Sequence, residues 1–190
     1  MIELIEKIKN CKICEAHLEL GCNPVMAASP NSRLVIIGQA PGRVVHKTGI
    51  PWNDKSGDNL RAWLDIDRDT FYDAEKVTLM PMGFCYPGTG KTGDLPPRPE
   101  CAPLWHPQIL SLMKSTKLIL LVGQYAQNYY LGETKQETLT ATVQQFHTYL
   151  PKYFPLPHPS PRNNIWQARN IWFTGEVLPE LKRRVKKLVV

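Results

Sequence analysis

The sequence predicts an α/β fold: a three-layer α/β/α sandwich around a central four-stranded parallel sheet. Four short apolar runs recur along the chain, and stretches with helical apolar spacing separate them. Two of the runs, RLVIIG and KLILLVG, are continuous rather than alternating and end in glycine. That is the pattern of strands covered on both faces.

The elements follow in order. MIELIEKIKNCKIC opens as an amphipathic helix, with charges where a secretory leader has its apolar centre. RLVIIG (33–38) is the first strand. SGDNLRAWLDI then reads as a helix with Ser56 as its cap and Leu60, Trp63 and Leu64 on one face. KVTLMPMG (76–83) is the second strand, and PECAPLWHPQILSLMKS the helix after it. KLILLVG (117–123) is the third strand, followed by the helix GQYAQNYYLG. YFPLPHP (153–159) is the fourth strand, and VLPELKRRVKKLVV is the closing helix. Such alternation calls for right-handed crossovers. No repeat, low-complexity tract or linker divides the chain, so residues 1–190 are expected to form one domain.

Composition narrows the function. A chain of 190 residues with 43% hydrophobic content can bury a full core. Seventeen prolines point to ordered loops. Lys and Arg outnumber Asp and Glu by 23 to 17, and the net charge of +6 suits a polyanionic partner or simply a basic surface. No apolar run approaches the roughly 20 residues of a membrane span. A cytoplasmic location follows as the expectation, in which five cysteines serve metal binding or reactivity rather than disulfides.

In parallel sheets ligands sit at the carboxyl ends of the strands. The loops 38–52, 82–99 and 158–164 therefore share a rim. The first, GQAPGRVVHKTGIPW, lacks the glycine spacing of a dinucleotide fingerprint. GTGKTGD (88–94) fails as a triphosphate loop because Cys85 stands where its first glycine belongs. What GQAPG offers is a tight turn whose backbone amides face a planar heterocycle closely.

GQAPGRVVHKTGIPW, SGDNL and HPSPRNN, in this order and spacing, resemble the uracil-DNA glycosylase superfamily, and most closely its iron–sulfur branch, family 4. The resemblance runs from Cys11 to about Phe173 and implies that superfamily's fold and activity on DNA containing a damaged base. Trp52 falls where the family places the aromatic ring that stacks on a flipped base, and a base out of the duplex needs such a face. His158 matches the histidine of the His-Pro motif, whose neutral imidazole N–H stabilises the departing base anion. Gln39, Ala40, Gly42, Trp52 and Ser160 make up the implied base-binding set. Ser160, Pro161, Arg162, Asn163 and Lys91 are the implied DNA contacts, the loop 160–163 entering the minor groove.

This sequence departs from the family 4 pattern in two places. Gln39 replaces its glutamate; it cannot act as a general base but can still orient the attacking water or contact the base, while Ala40 matches the branch. His46 stands where the branch has an acid, and is the nearest titratable candidate for handling the attacking water. Pro81 occupies the position, four before the third cysteine, where the branch has a base-reading asparagine. Specificity for uracil is thereby opened to another deaminated base such as hypoxanthine.

Cys11 and Cys14 form one C-x2-C knuckle, and Cys85 and Cys101 follow with fifteen residues between them. Four thiolates suit either a [4Fe–4S] cluster or tetrahedral zinc. A single knuckle leans away from zinc, and all four positions match the cluster ligands of family 4. Cys22 reads as a buried thiol outside the set. Residues 86–100 contain no histidine, so the covalent capture used by one branch is not expected. The leading reading is a monofunctional, monomeric DNA glycosylase of base excision repair. The alternatives are a damaged-DNA or nucleotide-binding module without catalysis, and a hydrolase of free nucleosides or nucleotides.

Overall fold

A computed structural model describes residues 1–189; Val190, the last residue of the expected closing helix, lies outside them. The helices among the described residues are α1 (Ile2–Lys9), α2 (Arg43–Thr48), α3 (Lys55–Leu64), α4 (Arg68–Tyr72), α5 (Cys101–Leu112), α6 (Gln124–Leu131), α7 (Leu139–Gln144), α8 (Asn164–Arg169) and α9 (Leu178–Val189). The strands are β1 (Leu34–Ile37), β2 (Val77–Leu79), β3 (Leu118–Val122) and β4 (Tyr153–Leu156). They form one all-parallel sheet in the order β2-β1-β3-β4. The α/β fold with a four-stranded parallel sheet is as expected.

Both faces of the sheet are covered, which is why β1 reads as an unbroken apolar run. Leu34 and Ile36 point into a layer with Leu60, Trp63 and Leu64 of α3, Phe173, and Leu181, Val185 and Val189 of α9. Val35 and Ile37 point the other way, against Leu4 and Ile8 of α1, Ala102 and Ile109 of α5, and Ala126 and Leu131 of α6. Each fully buried Leu or Ile contributes about 1.5–3 kcal/mol, so these two layers supply most of the driving force.

Several boundaries differ from expectation. The second strand ends at Leu79 instead of running to Gly83, because Pro81 has no N–H to donate to the ladder. The chain stays alongside the exit of β1 through Met82 N–H to Gly38 O at 2.9 Å and Gly83 N–H to Gln39 O at 3.0 Å. β4 tolerates Pro155 because it is an edge strand. Ser56 does not cap α3. Asp54 does, its Oδ1 accepting from Gly57 N–H at 2.9 Å, and Ser56 lies within the first turn.

The connections from β1 and β3 leave toward opposite faces, since α3 packs in the first layer and α6 in the second. Adjacent strands whose exits diverge open a crevice at their carboxyl ends.

Candidate functional site

The crevice is there. It has a volume of about 420 Å³ including its open mouth and is bordered chiefly by Gln39, Trp52, Asp54, Pro81 and His158, with the backbone of Gly38–Gly42 as one wall. Trp52 and His158, more than a hundred positions apart, therefore meet in one cavity.

Trp52 is held in an unusual state. Its backbone is left-handed, with φ +56, which a bulky residue adopts only under constraint. Two glycines make room for it. A Cβ on Gly38 would lie 2.6 Å from Trp52 Cζ2, and one on Gly57 would lie 1.7 Å from the Trp52 carbonyl oxygen. The indole thus rests directly on the end of β1. Its centroid is 5.9 Å from the His158 ring, with the planes tilted by 31°. A base stacked between two rings needs about 7 Å, twice a van der Waals contact. The histidine therefore stands beside the stacking face rather than opposite it.

His158 follows β4 and Pro157. Its backbone oxygen accepts from Asn163 Nδ2 at 2.7 Å, and the Pro159 oxygen accepts from Asn59 Nδ2 on α3 at 2.8 Å, so both neighbouring elements pin the turn. Removal from water lowers the pKa of the ring below its usual value, although the charges of Asp54 and Asp94 pull upward. At neutral pH the imidazole is neutral and one ring nitrogen carries a proton to donate.

Asp54 also borders the crevice and was not singled out by the sequence pattern alone. Capping occupies Oδ1, while Oδ2 lies 4.0 Å from the position of a Cβ on Gly42. Asp94 Oδ2 lies 3.4 Å from the same point, and its Oδ1 accepts from Tyr86 Oη at 3.4 Å. Two carboxylates thus stand at the mouth of the crevice in a chain of net charge +6. The signal for Asp54 was the Asp-Lys-Ser-Gly start of a helix just after Trp52. Nothing local marked Asp94.

Gln39 borders the crevice and, among the described residues, its side-chain amide has no partner. Its donor and acceptor are free for a base edge. Pro81 supplies an apolar wall, and its carbonyl accepts from His106 Nε2 at 3.0 Å. Tyr130 Oη donates to His106 Nδ1 at 2.7 Å, so the buried histidine is held neutral and its pKa is pushed down to about 4 by burial. Ala40 and Gly42 also border the crevice.

His46 is not among the bordering residues. It lies on α2, its ring 5.9 Å from that of Tyr86, with Nδ1 buried and without a partner. Ser160 caps the turn Pro161–Asn163 by accepting from Arg162 N–H at 3.3 Å. Arg162 Nη1 donates to Thr92 O at 3.2 Å, which ties this exposed turn to the exposed Lys91 loop across the mouth. On α9 the basic run is partly spent on its own helix, with Arg183 and Arg184 both paired to Glu180.

A second cavity, of about 340 Å³, is bordered by Cys11, Cys14, Cys85 and Cys101 together with Ile8, Phe84, Arg98 and Trp105. Cys22, read from sequence as outside the set, borders it too. Burial pushes the thiols of Cys85 and Cys101 up to about 12, which leaves them protonated without a cation. Phe84 N–H donates to Cys101 Sγ at 3.3 Å, and Arg98 lies against Cys14. Thiols gathered on one cavity are the donor chemistry that a thiolate-bound group would need. Among the described residues, no three His, Cys, Asp or Glu side chains converge closely enough for a single ion. Zn–S bonds of about 2.3 Å would demand such convergence, whereas an iron–sulfur cluster carries its thiolates on separate irons at its corners.

An indole beside a neutral imidazole, in a crevice at the divergence of a parallel α/β sheet, is an arrangement with the shape and chemistry to take a planar heterocycle. The family model of the Uracil DNA glycosylase superfamily matches residues 26–182, and the chain belongs to that superfamily. Members of that superfamily are in general hydrolytic DNA glycosylases that act on DNA. The match begins at Met26 and leaves out Cys11, Cys14 and Cys22. Among the described residues no helix is long and apolar enough to cross a membrane.

Proposed function

We propose that this chain is a monofunctional DNA glycosylase that hydrolyses the N-glycosidic bond of an extruded, deaminated base, uracil or hypoxanthine. The observation that carries the reading is the convergence of Trp52, neutral His158 and Asp54 on one crevice.

The extruded base stacks on the free side of the Trp52 indole, which replaces the neighbouring bases of the duplex. The Gln39 amide and the amides of the 38–42 turn read its edge, and Pro81 replaces a polar contact with shape. As the bond breaks, negative charge gathers on the base and positive charge on the sugar. The His158 N–H donates to the base oxygen, a preorganised donor that stabilises the anion. Asp54 Oδ2 is the group best placed to hold the attacking water, and its charge favours the sugar cation. That role falls to Asp54 instead of His46. Two carboxylates oppose the docking of a polyanion, a cost reasonable only where positive charge develops. Arg162, Lys91 and the turn at Ser160–Asn163 meet the backbone.

Cys11, Cys14, Cys85 and Cys101 would hold a [4Fe–4S] cluster. When bound, it supplies a cross-link rather than chemistry, joining the α1 end of the chain to the 85–101 loop that carries Asp94 and Thr92. The test is a panel of oligonucleotides bearing uracil, hypoxanthine or xanthine, treated with enzyme and then alkali. Strand scission with at least one base is the expected result. Retarded but intact DNA would mean a binding module, and turnover of free nucleosides alone would mean a different hydrolase.

A further inference from the structure

The thiol-bordered cavity holds one cysteine more than four-point ligation requires. Just after Gly21, whose φ of +74 is left-handed, Cys22 borders the cavity that Cys101 and Trp105 of α5 also line. The following segment then runs beside the chain at Cys85. Val25 N–H donates to Phe84 O at 2.7 Å, which lays residues 22–25 alongside Phe84 and Cys85. The Cys22 thiol borders the same cavity as Cys85 and Cys11. The neighbours of Cys101 are instead Phe84, Cys14, Cys11 and Glu100.

We propose that Cys22 is a reserve ligand of the cluster site, placed to take over the iron held by Cys85. The inference rests on the cluster reading above. Ligand exchange at iron needs an entering sulfur beside the departing one and facing the same cavity, and of the five thiols Cys22 stands in that relation to Cys85. The exchange balances without redox change. The bond to Cys85 Sγ breaks as the bond to Cys22 Sγ forms, and the proton of the Cys22 thiol passes to the departing Cys85 thiolate. The segment that carries Cys22 is also the partition between the two cavities, because Pro24 borders this one and Val25 the base crevice. A switch of ligand would thus be felt in the base crevice through three residues of backbone.

The test compares wild type, Cys85→Ala, Cys101→Ala, Cys22→Ala and Cys85→Ala/Cys22→Ala, all purified without oxygen. Iron, acid-labile sulfide and visible absorbance per chain are measured. Cys85→Ala should keep at least half of the wild-type iron with an altered spectrum, while Cys101→Ala and the double variant are empty. Cys85→Ala as empty as Cys101→Ala overturns the proposal. A wild type without iron and sulfide removes the cluster reading itself, and the inference with it. Should Cys85→Ala fail to fold, Cys22→Ala decides, since it keeps all four principal ligands. Its cluster should bleach several-fold faster than wild type under chelator and oxidant, and an unchanged rate rejects the reserve role.

Discussion

Gly38→Ala tests the stacking face with a single methyl group. The added Cβ would stand 2.6 Å from Trp52 Cζ2, where carbon contacts relax to about 3.5–4.0 Å. The indole must therefore move by about 1 Å. It cannot withdraw along its own backbone, because Gly57 already lies hard against its carbonyl and φ is fixed at +56. The ring tilts into the crevice, toward the His158 ring 5.9 Å away. Overpacking of this kind costs about 1–3 kcal/mol of stability, and a misplacement of about 1 Å at a reacting centre costs about 10²-fold in rate. Single-turnover excision, with enzyme in excess over a uracil or hypoxanthine oligonucleotide, measures the second; a melting curve measures the first. Adding Trp52→Phe removes the clashing ring edge, so the double variant should recover part of the rate that Gly38→Ala loses. A Gly38→Ala enzyme that excises at the wild-type rate refutes the placement of Trp52 as the stacking face.

His158→Ala should slow excision by about 10²–10³-fold with DNA affinity kept, because one anion-stabilising donor is removed; equal single-turnover rates exclude it from the chemistry. Asp54→Asn keeps an N-cap acceptor and loses the charge, so the melting temperature should hold while the rate falls by about 10²-fold. Asp54→Ala should in addition cost about 1 kcal/mol of cap, and a full-rate Asp54→Asn ends the assignment of the water. His106 binds its proton only at a pH of about 4 in the fold but at 6.5 in the unfolded chain. The unfolded state takes up the proton first, so stability is whole above pH 6.5 and falls as the pH drops toward 4, by about 3 kcal/mol in all. His158 adds a loss of the same sign. Urea midpoints that do not move between pH 7 and 5 contradict this, and His106→Gln should flatten the slope. DNA affinity should drop steeply from low to physiological salt as phosphate counterions are released, and a flat response argues against contacts by Arg162 and Lys91.

The fold was legible because its strands announce themselves. β1 and β3 are apolar throughout, and only burial on both faces makes such runs soluble. The helices α2, α4, α7 and α8 are not legible in the same way. At five or six residues each they are too short to display a 3.6-residue period, and packing rather than propensity holds them. The cap of α3 lies two residues before the expected one, since Asp54 and Ser56 are both good caps and the choice depends on where Trp52 turns the chain.

The site divides in the same way. Trp52, His158, Gln39 and four of the five cysteines could be nominated from sequence, the Cys11–Cys14 knuckle by its spacing and the rest by the order of short motifs that carry the family resemblance. The approach of both Asp54 and Asp94 to Gly42, the pinning of Pro81 by His106, and the shared cavity of Cys22 and Cys85 join residues tens of positions apart. Local pattern and the family resemblance nominated most of the candidate residues, though not Asp54. Only the tertiary structure decided which of them meet, because the distance between two side chains is set by the packing of all the layers between and not by the chain nearby.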